Sequence, residues 1–372
     1  MATFLSRLHD IIISKITMGV LLIKHSKKLS LFLIYLMLLA SFIFILPGCG
    51  GGGGGASSSG DSGESGGANN PPAENSATPD STPTQTPSAS QTPEPGNKGA
   101  LIMITMPDHS ATAVIAGVCD YPGEDNDLRY IAKDALDFKN ALTGSSFWNG
   151  ANIDIQNDIH VTKSKIFDAV AAARENTADD GLFIFFYSGH GTNVGSTGYI
   201  IPYDGAESYS NMISEYDLRD WLESFPALSK KYVALDACYS GNFIEKSILK
   251  SDLLKAKFMK VKGSDETYNS EKMVRSLVDS SNTYVFTSSK GSEVSWESYA
   301  MQNSVFVHYL CEGLGAGFTM GPADFNRNNA ITAEEINLYV PIRVNNYVIN
   351  SSGYYTQQPQ SYDDCPGELR IK

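Results

Sequence analysis

Two short polar turns carry the residues best suited to chemistry: His190 in YSGHG and Cys238 in DACYSG. A thiol is a weak nucleophile until its proton is removed or its thiolate is stabilised, and an imidazole within reach does both. Such a pair attacks a carbonyl carbon. Glycines beside each residue let a substrate backbone approach, and the amides of Gly191 and Cys238 are candidates to face a developing oxyanion. Taken singly, a strand-end histidine or a buried cysteine is usually structural. Their joint placement, each in a glycine-containing turn after an apolar run, favours catalysis.

The runs before the turns are residues 182–187 (LFIFFY) and 232–235 (YVAL). Short, apolar on both faces and bounded by polar turns, they predict buried strands of a parallel sheet. Between them Ser214 precedes EYDLRDWLESF, a capped helix. Strand, helix and strand then form one crossover, with both turns at the carboxyl ends of neighbouring strands. Open α/β sheets bind their ligands at that edge. Residues 113–119 (AVIAGVC) predict the first buried strand, ended by the turn Tyr121-Pro122-Gly123. From Asp127 onward, Leu128, Ile131, Ala135, Phe138 and Leu142 have helical spacing, and Asp134 lies off that stripe, as a solvated helix acid would. Further on, residues 153–155 predict an edge strand, Thr162 opens a helix burying Ile166, Ala169, Val170 and Ala173, and residues 199–204 predict a rim strand or hairpin. Residues 283–287 predict a strand and 305–314 a buried helix, on which His308 and Cys311 lack further ligands and read as packing.

In this order and at this separation, YSGHG and DACYSG resemble the caspase-like cysteine peptidases, closest to the metacaspase and bacterial caspase-like branch, over residues 111–371. The resemblance implies an α/β caspase-like fold, a mainly parallel central sheet flanked by helices. It also implies a cysteine endopeptidase with Cys238 as nucleophile and His190 as proton carrier. No third member of a triad can be named from the residues. In the metacaspase-like branch an acid of the first helix, the serine two residues before the histidine and the aspartate two residues before the cysteine line an acidic pocket. The matching positions are Asp134, Ser188 and Asp236. A desolvated carboxylate needs a cation, so that pocket would select Arg or Lys on the acyl side of the cut bond. True caspases cleave after Asp and use arginines, and none stands at these positions. The alternative for Asp236 is a structural carboxylate bonded to backbone amides. The stretch SSKGSEVSWES resembles the family's small-region loop, which makes Ser288 and Trp296 candidate substrate contacts, with core or rim packing the alternative for Trp296. Residues 243–281 match an intersubunit linker. Its basic residues Lys246, Lys250, Lys255, Lys257, Lys260, Lys262, Lys272 and Arg275 offer sites for self-cleavage, a solvated insertion being the alternative.

The 372 residues leave room for one sizeable domain with extensions, and a net charge of -13 argues against nucleic acid as the main partner, whereas the resemblance implies a peptide or protein substrate. Five cysteines without regular spacing suggest neither a disulfide scaffold nor a zinc ribbon. Residues 29–46 form an apolar run behind Lys24, Lys27 and Lys28, the layout of a secretory signal. The run ends at Leu46-Pro47-Gly48-Cys49, which resembles a bacterial lipobox with Cys49 as the lipidated residue, although Pro47 departs from the pattern. Uncleaved, the run is nearly long enough to anchor the chain as a helix. Lipid or helix, the expectation is a membrane tether on the extracytoplasmic face of a bacterial envelope. The chain then divides into a signal (1–48), a Gly/Ser/Pro-rich flexible linker (49–100) and a peptidase domain (101–372).

Residues 324–335 (DFNRNNAITAEE) put oxygens at the spacing of an EF-hand loop: Asp324, Asn326, Asn328, the carbonyl of Ala330, Thr332 and Glu335. With Asn329 where glycine is expected and only two carboxylates, the implied calcium site is weak, and a helix-capping loop without an ion is the alternative. Catalysis by thiol and imidazole requires no cofactor. Two other function classes fit the same residues: a surface-displayed caspase-like binding module without turnover, and an acyl or glycan hydrolase on the same dyad. The intact His190 and Cys238 count against the first, and Asp134 and Asp236 count against a sugar substrate.

Overall fold

A computed structural model describes residues 98–194, 197–237, 254–257, 277, 281–290, 293–315 and 321–372. The signal segment with Cys49, nearly all of the linker, Cys238 and most of residues 243–281 lie outside the described residues.

The domain opens with strand β1 (Gly99–Thr105), which turns back into β2 (Ala111–Val118). The strand expected first is therefore the second of the described strands. The strand GALIMIT was hidden because its short apolar run abuts the low-complexity stretch. Then follow helix α1 (Ile131–Thr143), β3 (Asn152–Asn157), α2 (Lys163–Glu175) and β4 (Leu182–Ser188). Next come β5 (Gly191–Val194), β6 (Thr197–Ile200), β7 (Ile213–Ser214), α3 (Glu215–Glu223) and β8 (Lys230–Asp236). The remaining elements are β9 (Leu254–Ala256), β10 (Thr283–Thr287), β11 (Trp296–Ser298), β12 (Asn303–Ser304), α4 (Val305–Leu314), α5 (Ala333–Ser352) and β13 (Gln360–Asp363). Helix starts follow local chemistry: Ser214 and Asp217 form a capping box on α3, Thr332 and Glu335 one on α5.

A seven-stranded sheet in the order β13-β10-β8-β4-β2-β1-β3 forms the centre. Strands β2, β4, β8 and β10 pair in parallel, while β1, β3 and β13 close the flanks antiparallel. The central strands β2 and β4 are buried along their whole length, as strands covered on both faces must be. Edge strand β3 is exposed throughout. Two small sheets, β5-β6-β7 and β12-β11-β9, stand beside the large one. None of the described helices is long and apolar enough to cross a membrane.

The parallel register sets Gly117, Ser188 and Asp236 abreast at the carboxyl edge of the sheet. Gly117 has a packing reason: a Cβ there would lie 2.6 Å from the carbonyl oxygen of Ile131 and 3.1 Å from Ala135 Cβ. Helix α1 thus lies directly on β2. It begins at Ile131 rather than at Asp127, because the Asp127 carboxylate accepts from Tyr121 N at 3.0 Å and Leu128 N donates to Cys119 O, which closes a loop before the helix. The buried face of α1 is also wider than the apolar stripe. Asp134, expected from periodicity to be solvated, is 0% exposed and points its carboxylate toward Ser188.

Candidate active site

His190 stands two residues beyond the end of β4 and is 2% exposed. Two buried tyrosines hold its backbone. Tyr121 Oη accepts from His190 N at 2.9 Å, and Tyr187 Oη lies 2.9 Å from His190 O and 2.8 Å from Ile201 O, positioned to donate to either. Both phenols stay protonated, since burial pushes their pKa values up. Gly189 is required in this turn: a Cβ would fall 2.5 Å from Tyr187 Oη and 2.7 Å from Tyr121 Oη. The imidazole is oriented by the loop before α1, because His190 Nε2 lies 2.6 Å from the carbonyl oxygen of Asn126. A carbonyl only accepts, so Nε2 carries the hydrogen and Nδ1 is the nitrogen able to take and return a proton. Asn126 is itself held by Gly123 O and by its own amide on Pro122 O. This orienting carbonyl is the partner that could not be named from the sequence, since a backbone group leaves no residue-type signal.

Gly191 opens β5 opposite Ile200. Ile201 N donates to His190 O at 3.0 Å, so the antiparallel alternation puts Gly191 at the next, non-hydrogen-bonded position, with its N–H turned away from β6. Cys238 lies outside the described residues. The three described cysteines, Cys119, Cys311 and Cys365, are free thiols; burial pushes all three up, Cys365 to about 12, so none is a ready nucleophile at neutral pH.

Asp134, Ser188 and Asp236 meet as expected, all 0% exposed. Ser188 Oγ lies 3.1 Å from Asp134 Oδ2 and 3.3 Å from Asp236 Oδ2. Asp134 accepts from Asn303 Nδ2 at 3.0 Å, from Ser304 N at 2.9 Å and from Ser304 Oγ. Asp236 Oδ1 accepts from Ser295 Oγ at 2.5 Å. Between the acids sits a cation. The Lys257 ammonium is 2.6 Å from Asp236 Oδ2, 2.7 Å from Ser188 Oγ and 3.7 Å from Asp134 Oδ2, and Lys257 is 0% exposed. Burial raises the pKa of Asp134, and neighbouring Asp236 adds to the rise against the opposing pull of Lys257. Burial by itself would lower Lys257, but the Asp236 and Asp134 carboxylates outweigh it and hold the ammonium above its ordinary value.

Lys257 arrives on a paired segment. Strand β9 runs antiparallel to β11, with Ser298 opposite Leu254, Glu297 opposite Lys255 and Trp296 opposite Ala256, and Lys257 N then donates to Ser295 O at 3.0 Å. Strand β11 is tied to the start of α1 by Glu297, whose carboxylate accepts from Arg129 N and Tyr130 N. Gln357 links it to the C-terminal stretch through Ser295 Oγ and Ser288 O. The two residues expected from the small-region loop are both buried. The Trp296 ring is fully buried beside Tyr355, so it packs in the core and only its backbone faces β9. Ser288 is buried, continues the β8–β10 ladder through Leu235 O, and makes no described contact with Lys257.

Residues 110–366 match the caspase domain family. The chain belongs to this family of cysteine peptidases. Metacaspase-9 of Arabidopsis thaliana is 28% identical over 145 residues, 36% of this chain and 44% of that protein. Metacaspase-4 of the same plant is 26% identical over 150 residues, 36% of this chain and 34% of that protein. The chain thus spans less than half the length of either relative. A solved structure of a protein from Geobacter sulfurreducens aligns with a TM-score of 0.41 at 13% identity, covering 68% of this chain and 87% of that one.

Within the caspase domain, the sequence singled out His190, Asp134, Ser188 and Asp236, and the fold gathers them on one sheet edge. Tyr121, Tyr187, Asn303, Ser304 and Gln357 were missed, because each is an ordinary packing or turn residue until tertiary structure gives it a partner. Loop 324–335 lies on another part of this domain. Asp324 accepts from Asn328 N and Asn329 N, Asn326 Oδ1 from Asn328 N, and Asn328 Oδ1 from Ala330 N. Asn329 is left-handed with φ 61, as the replacement for glycine should be. Glu335 completes the cap on Thr332 N through Oε2. Its Oε1 is buried without a partner among the described residues, the orphaned atom an ion would satisfy.

The Lys257 ion pair has a pH signature. A raised lysine pKa means that its stabilisation is fully present below the unfolded value of about 10.4 and is lost as pH rises through the higher folded value. Comparing wild type with Lys257→Met, the expected outcome is a stability difference that shrinks on the strongly alkaline side. Parallel unfolding midpoints from pH 7 upward would contradict it.

Proposed function

We propose that the protein is a cysteine endopeptidase that cuts after Lys or Arg. Cys238 is the nucleophile, His190 the proton carrier, and Asp134, Ser188 and Asp236 the pocket for the basic side chain. The observation that most supports this reading is the Lys257 ammonium seated between Asp236 and Ser188, the chemistry that a substrate lysine would present. His190, with Nε2 engaged by the Asn126 carbonyl, takes the thiol proton on Nδ1. The Cys238 thiolate attacks the acyl carbon, and the oxyanion faces the amides of Gly191 and Cys238. His190 then protonates the departing amine, and water assisted by the same imidazole hydrolyses the thioester and restores the thiol. No cofactor enters these steps.

The test is hydrolysis of fluorogenic peptides ending in Lys, Arg or Asp by the full-length chain beside Cys238→Ala. Cleavage after Lys and Arg, falling about 10³-fold or more in the variant, is expected. Cleavage after Asp would keep the peptidase and refute the pocket; a folded chain that cuts nothing would instead be a binding module.

Two further parts of the proposal stand on their own observations. We assign a weak calcium site, outside the reaction, to residues 324–335, on the strength of the oxygen spacing and the orphaned Glu335 Oε1. Millimolar calcium should then raise the unfolding midpoint of wild type and leave that of Glu335→Gln unmoved; no shift in wild type removes the assignment. The apolar run and Leu46-Pro47-Gly48-Cys49 support a tether on the extracytoplasmic face of a bacterial membrane. Metabolic labelling with palmitate in a bacterial host should mark wild type and spare Cys49→Ala, and equal labelling of both excludes Cys49 as the lipid site.

A further inference from the structure

We infer that Gln357, in the stretch between α5 and β13, is a positioning residue for substrate selection: through the hydroxyl of Ser295 it fixes the Asp236 carboxylate that reads a basic side chain. This rests on the peptidase reading above and adds to it the groups that aim the pocket's acid.

Gln357 is 0% exposed, and both ends of its amide are engaged. The oxygen accepts from Trp296 N at 3.3 Å, while the nitrogen donates to Ser288 O at 2.9 Å and to Ser295 Oγ at 3.2 Å. The backbone settles which end is which. A peptide N–H only donates and a carbonyl only accepts, so the amide oxygen must face Trp296 N and the NH2 group must face Ser288 O. Ser295 Oγ therefore receives a hydrogen from Gln357. Its own hydrogen remains for Asp236 Oδ1, 2.5 Å away. The relay thus has one direction, from amide to hydroxyl to carboxylate, and a hydroxyl that accepts one hydrogen bond donates the next more strongly. Held at Oδ1, the carboxylate turns Oδ2 to the cation, where the Lys257 ammonium lies 2.6 Å away.

The amide can direct the relay because its segment is anchored on both sides. Gln358 donates to the Glu293 carboxylate through N at 2.6 Å and through Nε2 at 2.8 Å, Thr356 Oγ1 donates to the same carboxylate, and Gln357 N donates to Asn345 Oδ1 at 3.3 Å. Ser295 in turn joins two tasks. Its carbonyl accepts the main-chain N–H of Lys257 at 3.0 Å while its hydroxyl holds Asp236, so one residue keeps the backbone and the acid that reads the side chain in register. Asp134 is held by Asn303 and Ser304 instead, which leaves the relay to act on Asp236.

The test measures kcat/KM of the full-length chain for two peptides alike except before the cut bond, where one has Lys and the other norleucine, which lacks the ammonium. Their ratio is the readout, because displacing Lys257 burdens both peptides alike. In Ser295→Ala and in Gln357→Met the preference for Lys should fall about 10-fold, the worth of one hydrogen bond to a charged group. In the double variant it should fall no further, because Gln357 acts through Ser295. The double variant should still unfold at a lower temperature than Ser295→Ala, since Gln357 also holds Trp296 N and Ser288 O. Gln357→Met keeps the side chain's length and Ser295→Ala cuts the same relay at its other link, so a loss of folding in one leaves the other to read. An unchanged preference in either folded single variant overturns the inference, as does a double variant whose loss is the product of the two. A wild type that cuts both peptides equally overturns the acidic pocket and the inference together, and a folded wild type that cuts neither overturns the peptidase reading itself.

Discussion

Asp134 and Asp236 reach the same point from different layers, one on a helix and one at the end of a central strand, and both are withdrawn from water. Two carboxylates in that position repel each other and have lost their hydration, so they cannot both remain charged without a cation between them. Much of the local architecture answers this constraint. Gly117 lets α1 settle onto β2 so that Asp134 reaches the sheet edge. Asn303, Ser304 and Ser295 donate to the carboxylates, Ser188 stands between them, and β9 brings in the Lys257 ammonium. Without the cation the two buried carboxylates keep only those hydrogen bonds to offset their lost hydration.

Two residues further along the chain, the hydroxyls of Tyr121 and Tyr187 hold the backbone of His190, and the carbonyl of Asn126 lies against Nε2 and fixes the tautomer. The end of β4 thus sets a buried cluster of charged groups beside an imidazole oriented by hydrogen bonds. The described cysteines play no part in this chemistry, since burial keeps their thiols protonated.

Much of this was legible from residue types and spacing. The apolar runs before YSGHG and the capped helix after Ser214 specified a parallel crossover, because strands buried on both faces must be apolar throughout and a capping box marks a helix start. The turn residues themselves named His190, and the family resemblance added Ser188 and Asp236. Other features were not legible. Periodicity alone read Asp134 as a solvated acid, only the resemblance setting it beside Ser188 and Asp236, and β1 was lost against the linker, since local patterns do not record which face a neighbouring layer will cover. Trp296, read as a substrate contact or as packing, became a core residue once Tyr355 stood beside it.

What the sequence determined by itself is the central parallel strands, most of the helices, the order of the two turns and the aspartate, Asp236, beside the second of them, all encoded within windows of a dozen residues. Only the tertiary structure decided which of the linker's basic residues meets those acids. The choice depends on the register of β9 against β11 and on the reach of one side chain into a buried pocket. It also decided that a backbone carbonyl, at Asn126, would orient the imidazole. Both are contacts between residues far apart in the chain, and their energy comes from desolvation and hydrogen-bond geometry, which no local pattern carries.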